Sequence, residues 1–284
     1  MLIEGFFDHT TNTVSYVITD SKSRQSAVID SVMGFDPATG RTDTSPADLI
    51  IDYLKADELN LQWILETHVH ADHLTAAVYI QEQLGGKIVI GKQITIVQKE
   101  FAKLFNNPAN FTTGGEQFDK LLSDQECLNI GELTLRAIYT PGHTPACMSY
   151  LIEDALFVGD TLFMPDYGTA RADFPGGSAQ SLYRSIQKLL TFPDQTRVFT
   201  GHDYKPPGRE HAVWQSTVAQ QKMNVHLTKN SNEAEFVNFR EQRDKTLALP
   251  RLLLPAIQVN MRAGHFPEAA ENGVSYLLTP INQL

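Results

Sequence analysis

One residue after the strand-like run Leu-Gln-Trp-Ile-Leu, the chain reads Thr67-His68-Val69-His70-Ala71-Asp72-His73, which puts three imidazoles and a carboxylate into six residues. With 9 histidines in the chain, a His-x-His-x-Asp-His match arises by chance roughly once in two thousand sequences of this composition, so the segment carries information. His68 and His70, two apart, point the same way if the strand continues, and a turn brings Asp72 and His73 round onto the same cavity. One loop can thus offer ligands to two adjacent metal positions.

Further candidate ligands follow later strand-like runs: His143 in Thr-Pro-Gly-His-Thr, Asp160 in Val-Gly-Asp-Thr-Leu-Phe and His202 in Thr-Gly-His-Asp-Tyr. Each is preceded by glycine, which permits a sharp turn and close backbone approach at a strand end, so the next side chain can be aimed into a shared crevice. Singly, each would read as a local turn residue; together with residues 68–73 they make a site. His9, His211, His226 and His265 lack such a context and are expected at the surface or in packing roles. Cys127 and Cys147 are too few for a disulfide framework or a Cys-rich zinc site and are expected as partly buried free thiols.

The rest of the chain predicts a mixed α and β protein. Alternating or β-branched runs mark strands at 14–19, 27–29, 61–65, 87–91, 133–139, 148–152, 155–158 and 197–200, with a hairpin about Glu153-Asp154. Helical spacing marks 48–56, 74–84 up to Gly85-Gly86, 178–190 opened by Ser178, and segments near 210–223 and 233–247. Residues 34–46 read as a polar loop or insertion, and 252–260 as a further extended apolar stretch. No repeat or linker divides the 284 residues, so a single domain over 1–284 is expected, with 205–284 a C-terminal helical extension returning to the core. A formal charge of −10 disfavours nucleic acid as a partner. No apolar run reaches the ~20 residues of a membrane-spanning helix. The N-terminus resembles neither a signal nor a transit peptide, which makes a cytoplasmic location the default expectation.

The order of these motifs, from about residue 60 to 204, resembles the metallo-β-lactamase superfamily. That resemblance implies an αββα sandwich, two mixed sheets face to face with helices outside and metal at one edge. Within it, Met164–Gly177, containing Arg171-Ala172-Asp173-Phe174, is similar to the persulfide dioxygenase (sulfur dioxygenase) branch, which is glyoxalase II-like, and Asn260-Met261-Arg262-Ala263-Gly264 is similar to that branch's C-terminal segment. Ala172 and Ala263 stand where many relatives are expected to carry Cys; 34–46 and 101–125 look like insertions.

The resemblance implies one Fe(II) per chain held by His68, His143 and Asp160, three ligands on one face that leave positions open for a substrate sulfur and O₂. His70, Asp72, His73, Asp173 and His202 would then orient ligands and hold water. The implied reaction oxidises glutathione persulfide with O₂ and water to sulfite and glutathione. Arg171 is the first choice for a substrate carboxylate, because its planar fork suits bidentate pairing, with Tyr204 and Arg262 next. An ion pair between Arg171 and Asp173 is the competing structural role, and Lys205 and Arg209 are expected as solvated loop charges. A homodimer and a sulfurtransferase that supplies persulfide are compatible partners. The rival is a glyoxalase II-like hydroxyacylglutathione thioester hydrolase with two metals bridged by Asp160, built from the same residues.

Overall fold

The computed structural model describes residues 1–107, 111–230 and 232–283. Strands β1 (Leu2–Phe7), β2 (Val14–Thr19) and β3 (Gln25–Ile29) form an antiparallel meander. A hairpin of β4 (Val32–Asp36) and β5 (Arg41–Asp43) leads to α1 (Ser45–Ala56), whose Pro46 lies in the first turn, where a missing N–H costs nothing. β6 (Asn60–Leu65) then runs parallel to β3. After the histidine-rich loop come β7 (Leu74–Thr75), paired with β4, then α2 (Ala77–Leu84), β8 (Lys87–Gly91), α3 (Ile94–Leu104) and β9 (Lys120–Leu122). The first sheet has the order β1-β2-β3-β6-β8-β9.

The second sheet has the order β10-β11-β12-β13-β14-β15. Its first four strands are β10 (Cys127–Ile130), β11 (Leu133–Tyr139), β12 (Met148–Ile152) and β13 (Ala155–Phe157), which are antiparallel. After α4 (Ala179–Leu189), capped by the Ser178 hydroxyl, β14 (Arg197–Phe199) joins parallel to β13, and β15 (Gln215–Thr217) closes the edge. Helices α5 (Val218–Gln221), α6 (Val225–Thr228), α7 (Glu233–Asp244) and α8 (Leu253–Asn260) follow.

Alternation along the strands builds three layers of packing. On β2, Val14, Tyr16 and Ile18 face inward and meet Leu135, Tyr150 and Phe157 of the second sheet, while Val17 faces outward against α1. The outer face of the first sheet packs on α1, α2, α3 and α8, and the outer face of the second on α4 and α7. The architecture is the αββα sandwich of two mixed sheets.

Four local expectations are corrected. Residues 34–46 are not a loop but the β4–β5 hairpin, and Leu74–Thr75 is strand before α2 starts. Residues 210–223 hold β15 and the single turn α5; pairing with β14 draws 215–217 into the sheet, and a capping box between Thr217 and Gln220 starts the turn. The apolar stretch 252–260 is helical, because Pro255 falls in the first turn, where backbone N–H groups have no intrahelical partner. Of the expected insertion 101–125, residues 108–110 lie outside the described residues; the remainder includes the end of α3 and β9.

Candidate metal centre

β11 and β13 are each antiparallel to β12, and β14 is parallel to β13, so all three end at one edge of the second sheet. The loop after β6 meets that edge: the N–H of Met148 donates to the carbonyl of Thr67 at 2.8 Å, and the N–H of Val14 to the carbonyl of Gly201 at 2.8 Å. Two glycines make the approach feasible. Gly142 has φ +147°, and a Cβ there would lie 2.3 Å from the backbone of Leu182; Gly159 has φ +50°, and a Cβ would lie 2.5 Å from the Thr67 hydroxyl.

His68, His143 and Asp160 bring one ligand atom each within 4.8 Å of one another. Asp160 Oδ2 lies 3.9 Å from His68 Nε2 and 3.7 Å from His143 Nε2, while its Oδ1 faces His202 Nε2 at 3.4 Å. Hydrogen bonds fix how these rings present themselves. His143 Nδ1 donates to the carbonyl of Arg171 (2.8 Å) and His73 Nδ1 to that of Leu74 (3.0 Å). The Thr67 hydroxyl donates to Asp30 Oδ2 at 2.7 Å and is thereby left to accept from His68 Nδ1 at 3.0 Å. Each ring so held turns its Nε2 lone pair inward. Buried Nε2 of His68, His73 and His202 and both ring nitrogens of His70, with Asp160 Oδ1 and Asp72 Oδ2, have no hydrogen-bond partner among the described residues. Orphaned buried lone pairs on converging imidazoles and carboxylates are what a bound cation satisfies, so the residues fit a metal ion.

His70 behaves differently. Its Nε2 turns to Asp30 Oδ1 (3.1 Å) and Glu66 Oε2 (3.4 Å), both buried. Burial opposes a charge on this ring, but the two carboxylates outweigh it and raise its pKa well above the usual histidine range. Burial, then the neighbouring imidazoles, push His68 well below that range, and burial above all lowers His73 to about 4. His70, Asp72 and His73 form a second convergent group, with Asp72 Oδ2 3.3 Å from His202 Nε2.

A cavity of about 370 Å³ opens onto His143 and Asp160, walled by Phe163, Tyr167, Tyr204 and Leu247 among others. Burial raises the Tyr204 hydroxyl well above its usual range, so it stays protonated. Arg171 lines this cavity, yet its guanidinium is committed: Nε and Nη2 donate to the two oxygens of Asp173 at 2.6 and 2.7 Å, and Nη1 to the carbonyl of Ala248 at 2.7 Å. The ion pair with Asp173 therefore occupies the fork expected to meet a substrate. Arg262 does not line the cavity; it donates to the Gln258 carbonyl and Asn107 Oδ1, with its guanidinium 4.5 Å from the Phe111 ring centroid. Arg209 is not a solvated charge, since it bridges Asp166 and the buried Asp203. Arg240 is paired with Asp244, whose other oxygen accepts the N–H of Ala172 at 2.8 Å. Among the described residues, Arg243 is the one cation at the cavity with no ion pair or side-chain hydrogen bond.

Sequence reasoning missed Asp30, Glu66, Arg243 and Asn260. Asp30 and Glu66 stand at strand ends as the later ligands do; Asp30 has no neighbouring histidine to mark it, and Glu66 lies just outside the His-x-His-x-Asp-His spacing. Asn260 lies in the segment 260–264, where Arg262 is the residue type that suggests a substrate contact.

A family model described as the metallo-beta-lactamase superfamily matches residues 10–202. The chain belongs to the metallo-β-lactamase superfamily, and its fold carries a metal-binding site of His and Asp residues. It is 51% identical to a probable metallo-hydrolase of Burkholderia pseudomallei, covering 100% of both chains. It is 46% identical to Glyoxylase B2 of Dictyostelium discoideum over 99% of this chain and 97% of that one. The mitochondrial persulfide dioxygenase ETHE1 of Homo sapiens is 28% identical over 93% of this chain and 89% of its own length. The crystal structure of ETHE1 from Myxococcus xanthus superposes with a TM-score of 0.73 at 28% identity, covering 93% of this chain and 100% of that one. Among the described residues, no helix is long and apolar enough to cross a membrane.

Proposed function

We propose that this chain is a persulfide dioxygenase that oxidises glutathione persulfide with O₂ and water to sulfite and glutathione, using one Fe(II) held by His68, His143 and Asp160. The observation that carries the reading is the two-histidine, one-carboxylate convergence of these residues. When bound there, Fe(II) supplies the electrons that activate O₂, which redox-inactive zinc cannot do.

The chain's own residues do the rest. Phe163, Tyr167, Tyr204 and Leu247 wall the cavity and limit water around the reacting sulfur. Arg243 meets a carboxylate of the glutathione carrier, the role that Arg171 and Arg262 cannot take while their guanidinium groups are engaged. Tyr204 donates a hydrogen bond into the cavity. Asp72 and His202 hold the water and protons that the hydrolytic half of the reaction needs. This reading puts a sulfurtransferase upstream as the source of persulfide, in the cytoplasm.

The second reading is a glyoxalase II-like thioester hydrolase. Asp160 favours it by facing His68 and His143 with one oxygen and His202 with the other, between two convergent groups. Oxygen uptake on adding glutathione persulfide separates the two. Uptake with sulfite formation in the Fe(II)-loaded protein and none in the zinc-loaded protein is the expected result. No uptake, together with cleavage of S-lactoylglutathione by a two-metal sample, overturns the dioxygenase in favour of the hydrolase.

A further inference from the structure

Asn260 ends α8 and reaches into the metal loop from 187 residues away in sequence. Its Nδ2 donates to the carbonyls of His70 (2.9 Å) and His73 (2.8 Å), and its Oδ1 accepts the N–H of Thr75 (2.8 Å). A primary amide offers two donors and an acceptor, and here all three are spent on the backbone of one six-residue segment. Asn260 is 4% exposed, so none of these bonds is exchanged cheaply for water.

The amide is itself held still. On either side of it, Gln98 Nε2 donates to the carbonyl of Met261 at 2.9 Å, and Arg262 fastens the last turn of α8 through the Gln258 carbonyl and Asn107 Oδ1. Arg262 thus braces the helix end that carries Asn260. Held this way, the two carbonyls fix the peptide planes at His70 and His73, and with them the directions in which those rings leave the backbone. Metal–ligand bonds tolerate only about 0.2 Å of error, so control of this backbone is control of the site.

We propose that Asn260 is the positioning residue of the metal centre, a clamp through which α8 sets the geometry of the loop bearing His68, His70, Asp72 and His73. In the two-metal reading His70 and His73 are themselves in the ligand loop under the clamp, and in the one-metal reading the clamp acts on His68 through the loop it anchors, so failure of the proposal leaves the functional reading above intact.

The test uses Asn260→Asp and Asn260→Ala in the full chain, with Co(II) as the probe. Two readouts are taken: competition against a chromophoric chelator, and the ligand-field absorption of bound Co(II). Asn260→Asp keeps the size of the side chain and its acceptor for Thr75 but points a carboxylate at two carbonyls, so it answers even if Asn260→Ala does not fold. Asp119→Ala is the control, since it deletes a side chain that accepts from the Ile88 N–H and Gln81 Nε2 away from the metal loop. The expected result is metal affinity weakened by about ten- to a hundredfold with an altered Co(II) spectrum in the Asn260 variants, and parental values in the control despite its lowered Tm. Arg262→Met is expected to weaken Co(II) binding in the same direction with KM for substrate unchanged. Parental affinity and spectrum in folded Asn260→Asp overturn the proposal and reduce the contact to ordinary packing.

Discussion

His226 is a buried histidine whose protonation the fold resists, and its replacement makes a quantitative test. The residue is 8% exposed, its ring edge-on to Phe239 with centroids 4.7 Å apart, and its Nδ1 accepts the N–H of Thr169 at 3.0 Å. Burial, followed by the cations Arg240, Arg243 and Lys229, lowers its pKa from 6.5 to about 3. A histidine depressed in the folded state is protonated first in the unfolded chain, so stability present above pH 6.5 drains away as the pH falls toward 3. Each pH unit in that window costs about 1.4 kcal/mol, which makes the loss about 2 kcal/mol between pH 6.5 and 5. His226→Asn keeps an acceptor near the Thr169 N–H but does not titrate there. By urea unfolding at pH 7.5, the variant is expected to be less stable than the parent by about 1–3 kcal/mol for the lost ring. At pH 5.0 that gap should shrink by about 2 kcal/mol. The metal ligands are common to both proteins and cancel in the difference. A gap that stays constant from pH 7.5 to 5.0 would refute the reasoning.

Other consequences are as direct. Gly142→Ala drives a Cβ into the backbone of Leu182 at a φ of +147°, so His143 should shift and Co(II) binding weaken at least tenfold, with a Tm drop measured alongside. Arg243→Ala should raise KM for glutathione persulfide about tenfold with kcat little changed, as removal of a carboxylate contact made equally in ground and transition states requires; a fall in kcat at constant KM would contradict the assignment. Chelation of the metal should lower Tm, since the lone pairs of His68, His73 and His202 lose the cation that satisfies them; equal Tm with and without chelator would count against the site. Iodoacetamide on the native protein should label one thiol, the exposed Cys127, because burial removes Cys147 from solvent and lifts its pKa to about 12; two labels, checked by intact mass, would contradict the packing.

Much of the site was legible because its residues are locally marked. Histidine is rare, so residues 68–73 stood out, and glycine before His143, Asp160 and His202 announced strand ends where side chains could be aimed. Strands with simple alternation, such as 14–19 and 133–139, were readable for the same reason: period-two burial leaves a period-two pattern. Residues 252–260 were misread because an apolar run buried on most sides shows no period at all, and only the first-turn placement of Pro255 makes the helix intelligible. Residues 34–46 hide their strands because β5 is exposed throughout and Phe35 is the one large apolar residue between Gly34 and Pro46, so no alternation shows.

What the sequence by itself determined is the inventory: which ligand types are available, in what order, and the class of fold able to gather them. Tertiary structure alone decided how they are used. The fork of Arg171 looks free in sequence but is closed by Asp173 and Ala248, while Arg243, unmarked by any motif, is left at the cavity. Asp30 and Asn260 lie far along the chain from the loop they grip, and Glu66, only four residues before His70, falls outside the spacing that marks the loop. Hydrogen bonds and ion pairs act over about 3 Å of space regardless of separation along the chain, so their choice of partner exists only once the two sheets and α8 have packed.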